Sequence, residues 1–228
     1  MLDVSRKELK YIIRTDDTAL LEQRIGKIMD PDSNNRSGSY TVRSLYFDSF
    51  GDTDYNEKLD GLTHRKKIRI RIYNGSDALI KLELKIKDGG FQRKRSIRLS
   101  REEAEDMIRG DYLFLMERPE ATAHALYTIM ETRGYRPKII VEYDRTAFAA
   151  ETNEIRVTFD KAIRVWTDPE DFFDPKVEPI PVTDPSETTM EVKYNGFLYS
   201  HIREALRVAD RSSITNSKYV RARSYISF

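Results

Sequence analysis

The sequence predicts an α+β fold built on an antiparallel β-sheet. Eight segments alternate apolar and polar residues with a period of two, which is typical of strands that bury one face. The segments with helical spacing are inserted between runs of strands, and this order favours antiparallel over parallel pairing. Asn74-Gly75 and Gly89-Gly90 each separate two strand segments, as tight hairpin turns do.

The predicted strands share the alternation that is clearest where Ile68, Ile70 and Ile72 interleave with Arg69 and Arg71. Successive side chains of a strand point to opposite faces, so each such segment has one apolar and one charged face. The eight predicted strands are residues 6–14, 40–48, 64–73, 78–87, 91–99, 138–148, 154–163 and 187–194.

Helical spacing of apolar residues predicts four helices and a short terminal one. Ser100 and Glu103 form a capping-box pattern at the start of the second helix, and Gly134 follows the third, as a helix-terminating glycine does. The predicted helices are residues 17–29, 101–109, 121–133 and 197–209, with a last turn or two from Ser217.

Composition sets limits on the class of protein. The length of 228 residues fits one large domain, and we expect a single domain over residues 1–228. The chain has no cysteine, which excludes disulfides, thiolate metal sites and a cysteine nucleophile. No apolar run approaches the ~20 residues of a membrane helix and no signal-peptide pattern begins the chain, so we expect a cytoplasmic protein without a membrane segment.

The charges alternate with apolar residues in an unusual way. One face of residues 64–73 carries four cations, and the next strand repeats the pattern with Lys81, Glu83, Lys85 and Lys87. A solvated outer face is one interpretation. If the eight strands instead close into a barrel with the helices outside, this face becomes a charged lumen. A basic lumen implies a polyanionic ligand, and carboxylates among the cations would hold a divalent metal. The acids that recur in this way are Glu8, Glu83, Glu142 and Glu191.

Several motifs together resemble one known family. They are Arg6-Lys7-Glu8-Leu9-Lys10-Tyr11, Ser44-Leu45-Tyr46-Phe47-Asp48, Lys67-Ile68-Arg69-Ile70-Arg71, Glu83-Leu84-Lys85, Glu142-Tyr143-Asp144-Arg145, Arg156-Val157-Thr158-Phe159-Asp160, Met190-Glu191-Val192-Lys193-Tyr194 and Ser217-Lys218-Tyr219. In this order they resemble the VTC domain, the polyphosphate polymerase module of the triphosphate tunnel metalloenzyme superfamily. The resemblance extends over nearly the whole chain.

The resemblance implies an eight-stranded antiparallel tunnel, closed as a barrel, that binds triphosphate and Mn²⁺ or Mg²⁺. It implies transfer of the ATP γ-phosphoryl group to polyphosphate, with ATP and polyphosphate as partners and no nucleic acid. Arg69, Arg71, Arg145 and Arg156 would grip the phosphoryl groups, and Glu191 is the first choice for the metal. The other phosphate-binding candidates are Lys10, Lys85, Lys94, Lys193, Ser217 and Lys218.

One departure distinguishes branches of the superfamily. The related hydrolases begin with Glu-x-Glu-x-Lys, whereas Arg6 stands at the first acid here, which favours a polymerase over a triphosphatase. A triphosphatase and a non-catalytic polyphosphate- or nucleotide-binding module remain alternatives. We expect no coupled translocation, since the sequence has no SPX sensor or membrane segments.

Individual residues also have competing roles. Arg145 is as well explained by a structural ion pair, and Glu8 and Glu83 by neutralisation of neighbouring lysines. Lys218 fits a solvated helix residue as well as an anion site.

Overall fold

The computed structural model describes residues 6–32, 35, 38–89, 91–207 and 216–226. Within this part of the chain, ten strands and seven α-helices form. They are, in chain order, β1 (Arg6–Arg14), α1 (Thr15–Ile25), β2 (Asp30–Pro31), β3 (Tyr40–Asp48), α2 (Thr53–Leu59), β4 (His64–Tyr73), β5 (Ser76–Asp88), β6 (Phe91–Leu99), α3 (Arg101–Arg109), α4 (Phe114–Glu117), α5 (Ala121–Thr132), β7 (Arg136–Ala150), β8 (Ile155–Trp166), β9 (Ile180–Pro181), β10 (Glu187–Asn195), α6 (Ser200–Ala205) and α7 (Lys218–Ile226).

Eight long strands form one sheet in the order β1-β10-β8-β7-β3-β4-β5-β6, while the two-residue strands β2 and β9 pair with β7 and β8. The prediction of an α+β fold with eight main antiparallel strands is therefore confirmed. Among the described residues, no pairing joins the end strands β1 and β6, and the sheet is open. The expected closed barrel is therefore not supported. Period-two alternation of apolar and polar residues is the same in open and closed sheets, so it cannot determine closure.

The described chain divides into two compact units. Unit 1 comprises Met1–Thr41, Tyr143–Ile163 and Pro181–Ser217, and unit 2 comprises Val42–Glu142, Arg164–Ile180 and Lys218–Phe228, each as far as it is described. The long strands β3, β7 and β8 have residues in both units. The prediction of a single domain over residues 1–228 stays a prediction.

In unit 1, the antiparallel strands β1, β10 and β8 place Leu9, Val192 and Val157 side by side on one face. Leu21 of α1 and Ile202 of α6 belong to the same buried apolar cluster. This leaves the residues of opposite parity on the other face, where the charges lie.

Unit 2 uses the same construction in β3, β4, β5 and β6. Their register places Leu45, Ile70, Leu82 and Ile97 in one row across the sheet, and α3, α4 and α5 supply buried residues to the same core. Burying this apolar face determines the register, since a slip by one residue would turn the isoleucines to the charged side.

Most elements lie where the sequence predicts them. The bounds of β1, β3, β4, β6 and α3 match, and Ser100 and Glu103 form the capping box. Helix α6 is shorter than predicted, with Tyr199 in an extended conformation before it, and residues 208–209 lie outside the described residues.

Helix α2 was not predicted, because Thr53–Leu59 has few apolar residues and no helical period. The buried carboxylate of Asp48 holds its first turn by accepting hydrogen bonds from the backbone N–H groups of Asp54 and Tyr55, at 2.9 Å each. A tertiary contact thus replaces the missing local signal. No helix among the described residues is both long and apolar enough to span a bilayer.

Asp54 is fully buried in unit 2. Its carboxylate accepts a hydrogen bond from the Tyr135 hydroxyl at 2.8 Å and pairs with Lys66 Nζ at 2.9 Å. Burial raises the pKa of Asp54 to about 6, against the opposing effect of Lys66. The folded protein therefore binds a proton here between about pH 4 and pH 6 that the unfolded chain has lost, so this residue makes stability fall as pH rises through that range.

We predict that Asp54→Asn removes this contribution, because an amide does not titrate. Thermal unfolding from pH 4 to pH 6.5 should show that the wild type loses stability relative to the variant as pH rises. Asp77→Asn, at a half-exposed carboxylate paired with Arg101, is the control and should run parallel to the wild type. A constant difference between the wild type and Asp54→Asn would contradict the assignment.

Candidate functional site

Unit 2 carries a charged surface on the side of β3–β6 opposite its apolar core, which we call the basic face. Residues of one parity on these four strands form it. Its polar members include Ser44, Tyr46, Asp48, Arg65, Lys67, Arg69, Arg71, Lys81, Glu83, Lys85, Lys87, Gln92, Lys94, Ser96 and Arg98.

Cations lie directly opposite cations across the strands of the basic face. Lys67, Lys85 and Lys94 form one row in register across β4, β5 and β6. A second row consists of Arg71, Lys81 and Arg98. Like charges directly opposite each other destabilise a strand pair, so these rows favour the binding of an anion above them.

Glu83 is the one carboxylate that β4, β5 and β6 contribute to this set, and it is 1% exposed. Its Oε2 lies 2.7 Å from Arg69 Nε and 3.9 Å from Arg71 Nη1, and its Oε1 lies 2.5 Å from Lys94 Nζ. Burial raises the pKa of Glu83, but the charges of Arg69, Arg71 and Lys94 outweigh it and hold that pKa far below the ordinary range. These contacts favour the role of Glu83 in neutralising neighbouring cations. Its metal-binding role stays a prediction.

Arg69 and Arg71 are both anchored from β3. The Tyr46 hydroxyl accepts a hydrogen bond from Arg69 Nη1 at 3.1 Å, and the Ser44 hydroxyl accepts one from Arg71 Nε at 3.1 Å. Arg71 is 7% exposed, so its guanidinium is almost wholly enclosed. The two predicted phosphate-gripping arginines are therefore brought together beside Glu83.

Unit 1 has a four-charge cluster, which consists of Glu8, Lys10, Glu191 and Lys193. Lys10 Nζ lies 3.1 Å from both Glu8 Oε1 and Glu191 Oε1. Lys193 Nζ lies 3.0 Å from Glu191 Oε2 and 3.8 Å from Glu8 Oε1. The structure thus brings together two predicted metal ligands and two predicted phosphate-binding lysines.

The four-charge cluster suits a hard divalent cation. Both carboxylates converge on one ammonium group, so they are within reach of a single cation, and Glu191 is 5% exposed. Mg²⁺ is commonly bound through one or two carboxylates together with phosphate oxygens. Within the described residues no group of three or more His, Asp or Glu side chains forms a metal site, so phosphate oxygens or waters would have to complete the coordination.

Arg145 and Arg156, also in unit 1, each pair with an aspartate. Arg145 donates to both carboxylate oxygens of Asp160, at 2.6 and 2.7 Å, and Arg156 Nη2 lies 2.5 Å from Asp32. Burial lowers the pKa of Arg145, but the charge of Asp160 outweighs it and raises that pKa well above its ordinary value. Arg145 therefore forms the ion pair that the sequence left open, with Asp160 as partner. Its role as a phosphoryl clamp stays a prediction.

Two further predicted sites have distinct surroundings in unit 2. Glu142 accepts hydrogen bonds from Arg43 Nε at 2.7 Å and from Arg164 Nη2 at 2.6 Å, which gives a buried ion triad. Lys218 begins α7 directly after Ser217, and both residues are half-buried. Lys218 is therefore positioned at a helix N-terminus, as predicted, while the metal-binding role of Glu142 stays a prediction.

The sequence reasoning missed several partners of these residues. Tyr46 was inside a quoted motif and has the same parity as Ser44, so it could have been placed on the charged face. Asp160 was also inside a quoted motif, with the parity of Arg156, but neither Asp160 nor Asp32 indicated its partner, because those partners lie on other elements. Tyr219 was equally hidden, since its contacts depend on how α7 packs.

The family model of the VTC domain matches residues 5–226 of the chain. This chain belongs to the VTC domain family. A search of curated proteins found no match for the VTC chain.

Several solved structures resemble the VTC chain in part. A candidate adenylate cyclase of Bacillus halodurans is 11% identical, covers 88% of this chain and 87% of that one, and has a TM-score of 0.46. A candidate adenylyl cyclase of Hippeastrum with a dominant triphosphatase activity is 10% identical, with 82% and 79% covered and a TM-score of 0.47. The Schizosaccharomyces pombe Mediator head module is 8% identical, with 97% and 90% covered and a TM-score of 0.48. At these identities and TM-scores the likenesses carry no argument about function.

We predict that Glu83→Gln destabilises the protein by about 3–5 kcal/mol, because it leaves buried cations without their shared anion. The difference from the wild type should narrow as pH falls through and below the ordinary range of a glutamate, because the unfolded chain binds a proton there that folded Glu83, with its lowered pKa, does not. Thermal and urea unfolding measure both effects.

Added tripolyphosphate should restore part of the stability of Glu83→Gln by replacing the missing negative charge. The control is Glu105→Gln, which removes an exposed pair with Arg101 and should cost about 1 kcal/mol or less. Equal effects of the two substitutions would contradict the central role of Glu83.

Proposed function

We propose that this VTC chain is a polyphosphate polymerase, which transfers the γ-phosphoryl group of ATP to the end of a polyphosphate chain. The rows of opposed cations on the basic face support this best. Lys67, Lys85 and Lys94 face one another in register, and repeated negative charges at close spacing would relieve their repulsion. ATP and polyphosphate have such charges, and membership of the VTC family makes them the first candidates.

The reaction depends more on the positioning of its two substrates than on proton transfer. A terminal phosphate oxygen of the chain attacks the γ-phosphorus, the bond from that phosphorus to the β-phosphate oxygen breaks, and ADP leaves. The attacking oxygen is already ionised at neutral pH, so no general base is required. The barrier is the approach of two anions, and fixed guanidinium groups lower it by stabilising the negative charge of the transition state.

Arg69 and Arg71 have the properties that this task demands. Each is anchored before any ligand binds, Arg69 by Glu83 and Tyr46 and Arg71 by Ser44. Planar guanidinium groups bind phosphate oxygens through two parallel hydrogen bonds. We assign them to the transferred phosphoryl group and its neighbour, with Lys85 and Lys94 as further phosphate contacts.

Unit 1 has its own acidic and basic groups for this chemistry. We assign Glu8 and Glu191 to a divalent cation, Mn²⁺ or Mg²⁺, and Lys10 and Lys193 to phosphate. A bound divalent cation supplies charge neutralisation at phosphate oxygens. Without it, each of the two lysines pairs with both carboxylates and neutralises their charge. Arg145, Arg156, Ser217 and Lys218 are assigned to phosphate binding.

We predict that Arg69→Ala lowers polymer formation by about 10²-fold, as loss of one preorganised charge donor does. The measurement is incubation with ATP and Mn²⁺, with and without a short polyphosphate primer, followed by gel electrophoresis and ADP assay. Arg109→Ala, which removes an exposed arginine of α3, is the matched control and should leave the polymer ladder unchanged.

The products of the same experiment distinguish the alternatives. A ladder with equimolar ADP supports the polymerase. Orthophosphate without polymer would replace it with a triphosphatase. Binding of polyphosphate that Arg69→Ala abolishes, without turnover under any metal, would leave a binding module.

We predict that Glu191→Gln shifts the Mn²⁺ dependence of turnover to concentrations at least tenfold higher, because one of two charged oxygen donors is lost. Tripolyphosphate binding without metal should be retained. Glu22→Gln, which removes the pair with Lys161 in the same unit, is the control and should leave the Mn²⁺ dependence unchanged. An unaltered Mn²⁺ titration for Glu191→Gln would exclude this residue as a ligand.

A further inference from the structure

Two buried tyrosines of unit 2 stack on each other at the edge of the basic face. Tyr46 of β3 and Tyr219 of α7 have ring centroids 5.0 Å apart and an angle of 24° between the rings. Tyr46 is 5% exposed and Tyr219 is 1% exposed. The Tyr219 hydroxyl donates a hydrogen bond of 2.6 Å to Asp48, which holds α7 against β3.

A cation from β4 lies over each ring of this pair. The guanidinium carbon of Arg69 lies 5.7 Å from the centroid of Tyr46, and Lys67 Nζ lies 5.6 Å from the centroid of Tyr219. An aromatic face attracts a cation at this distance. The stacked pair therefore adds a favourable interaction to each of two neighbouring positive charges.

Arg69 is held on two sides of its guanidinium group. Its Nε and Nη2 atoms lie 2.7 and 2.6 Å from Glu83 Oε2, and its Nη1 donates to the Tyr46 hydroxyl at 3.1 Å. The contact with Tyr46 lies at the opposite end of the guanidinium from the contacts with Glu83 and restricts the orientation of the group further.

The hydroxyl of Tyr219 can donate to Asp48 over a wide pH range. Burial and the neighbouring charge of Asp48 raise the pKa of Tyr219 far above that of an ordinary tyrosine. Asp48 is fully buried and also accepts the backbone N–H groups of Asp54 and Tyr55, so its own position is determined by α2. Tyr219 is consequently hydrogen-bonded to a carboxylate that the backbone of α2 also binds.

We infer that Tyr46 is a positioning residue for Arg69, and that Tyr219 of α7 holds Tyr46 in the place from which it acts. The hydroxyl of Tyr46 sets the orientation of the guanidinium before a phosphate arrives, so binding does not have to order that side chain. The inference rests on the proposed function only in that Arg69 contacts phosphate. It adds Tyr46 and Tyr219 to the site, and neither residue has to contact the substrate.

The substitution that tests this is Tyr46→Phe, which keeps the ring stack and removes the acceptor for Arg69. Its matched control is Tyr112→Phe, which removes another buried tyrosine hydroxyl of unit 2, one that donates to the Tyr135 carbonyl at 2.8 Å. Tyr219→Phe removes the bond to Asp48 and leaves the Tyr46 hydroxyl intact.

Two readouts are measured on the full chain. The first is the dissociation constant for tripolyphosphate by calorimetry, and the second is the ¹⁵Nε–¹Hε resonance of Arg69 in the absence of ligand. For Tyr46→Phe we expect a dissociation constant about fivefold higher, as loss of one hydrogen bond gives, and a displaced Arg69 resonance. Tyr219→Phe should give a smaller change of both. Tyr112→Phe should lower stability and change neither.

The outcomes separate this inference from the proposed function. If Tyr46→Phe binds tripolyphosphate as the wild type does and leaves the Arg69 resonance in place, the positioning role is wrong even if Arg69→Ala abolishes binding. If Arg69→Ala binds normally, the proposed phosphate role of Arg69 fails, and the resonance of Arg69 in Tyr46→Phe still decides whether Tyr46 orients it. Equal changes in Tyr46→Phe and Tyr112→Phe would show a general loss of packing and overturn the inference.

Discussion

The basic face of this VTC chain depends on the ion pairs that the buried carboxylate of Glu83 makes with its neighbouring cations. Arg69, Arg71 and Lys94 all lie within 4 Å of it, on strands where cations also face cations in register. A buried charge is stable only when it is paired, and here one anion serves three cations. The apolar core on the other side of the sheet determines the direction in which these charged side chains point. Burying Ile68, Ile70 and Leu82 forces the neighbouring cations onto one face.

Asp48 has a comparable role in the placement of two helices. Its carboxylate accepts from the backbone at the start of α2 and from the Tyr219 hydroxyl of α7. A single buried anion thus begins one helix and anchors another. Because Tyr219 stacks on Tyr46, and Tyr46 accepts from Arg69, the packing of α7 is connected to the orientation of an arginine on the basic face.

The two units handle charge differently. In unit 1, Lys10 and Lys193 each pair with Glu8 and Glu191, so the four-charge cluster is balanced within itself. In unit 2, the row of Lys67, Lys85 and Lys94 has no such alternation. Under the proposed function, a divalent cation would take the place of an ammonium group between the two carboxylates of this cluster. Under the proposed function, this row of opposed cations would bind a ligand with closely spaced negative charges.

The sequence by itself determined the strands and the direction of their side chains. The alternation in residues 64–73 predicted β4 and placed Arg69 and Arg71 on one face, because parity in a strand is a local property. Only the tertiary structure decided which charges meet: Arg145 with Asp160 across neighbouring strands, and Tyr219 with Asp48 over a separation of 171 residues. It also decided that β1 and β6 are unpaired with each other among the described residues. Register, helix packing and closure depend on long-range contacts, and alternation along one strand is the same whichever partner it has.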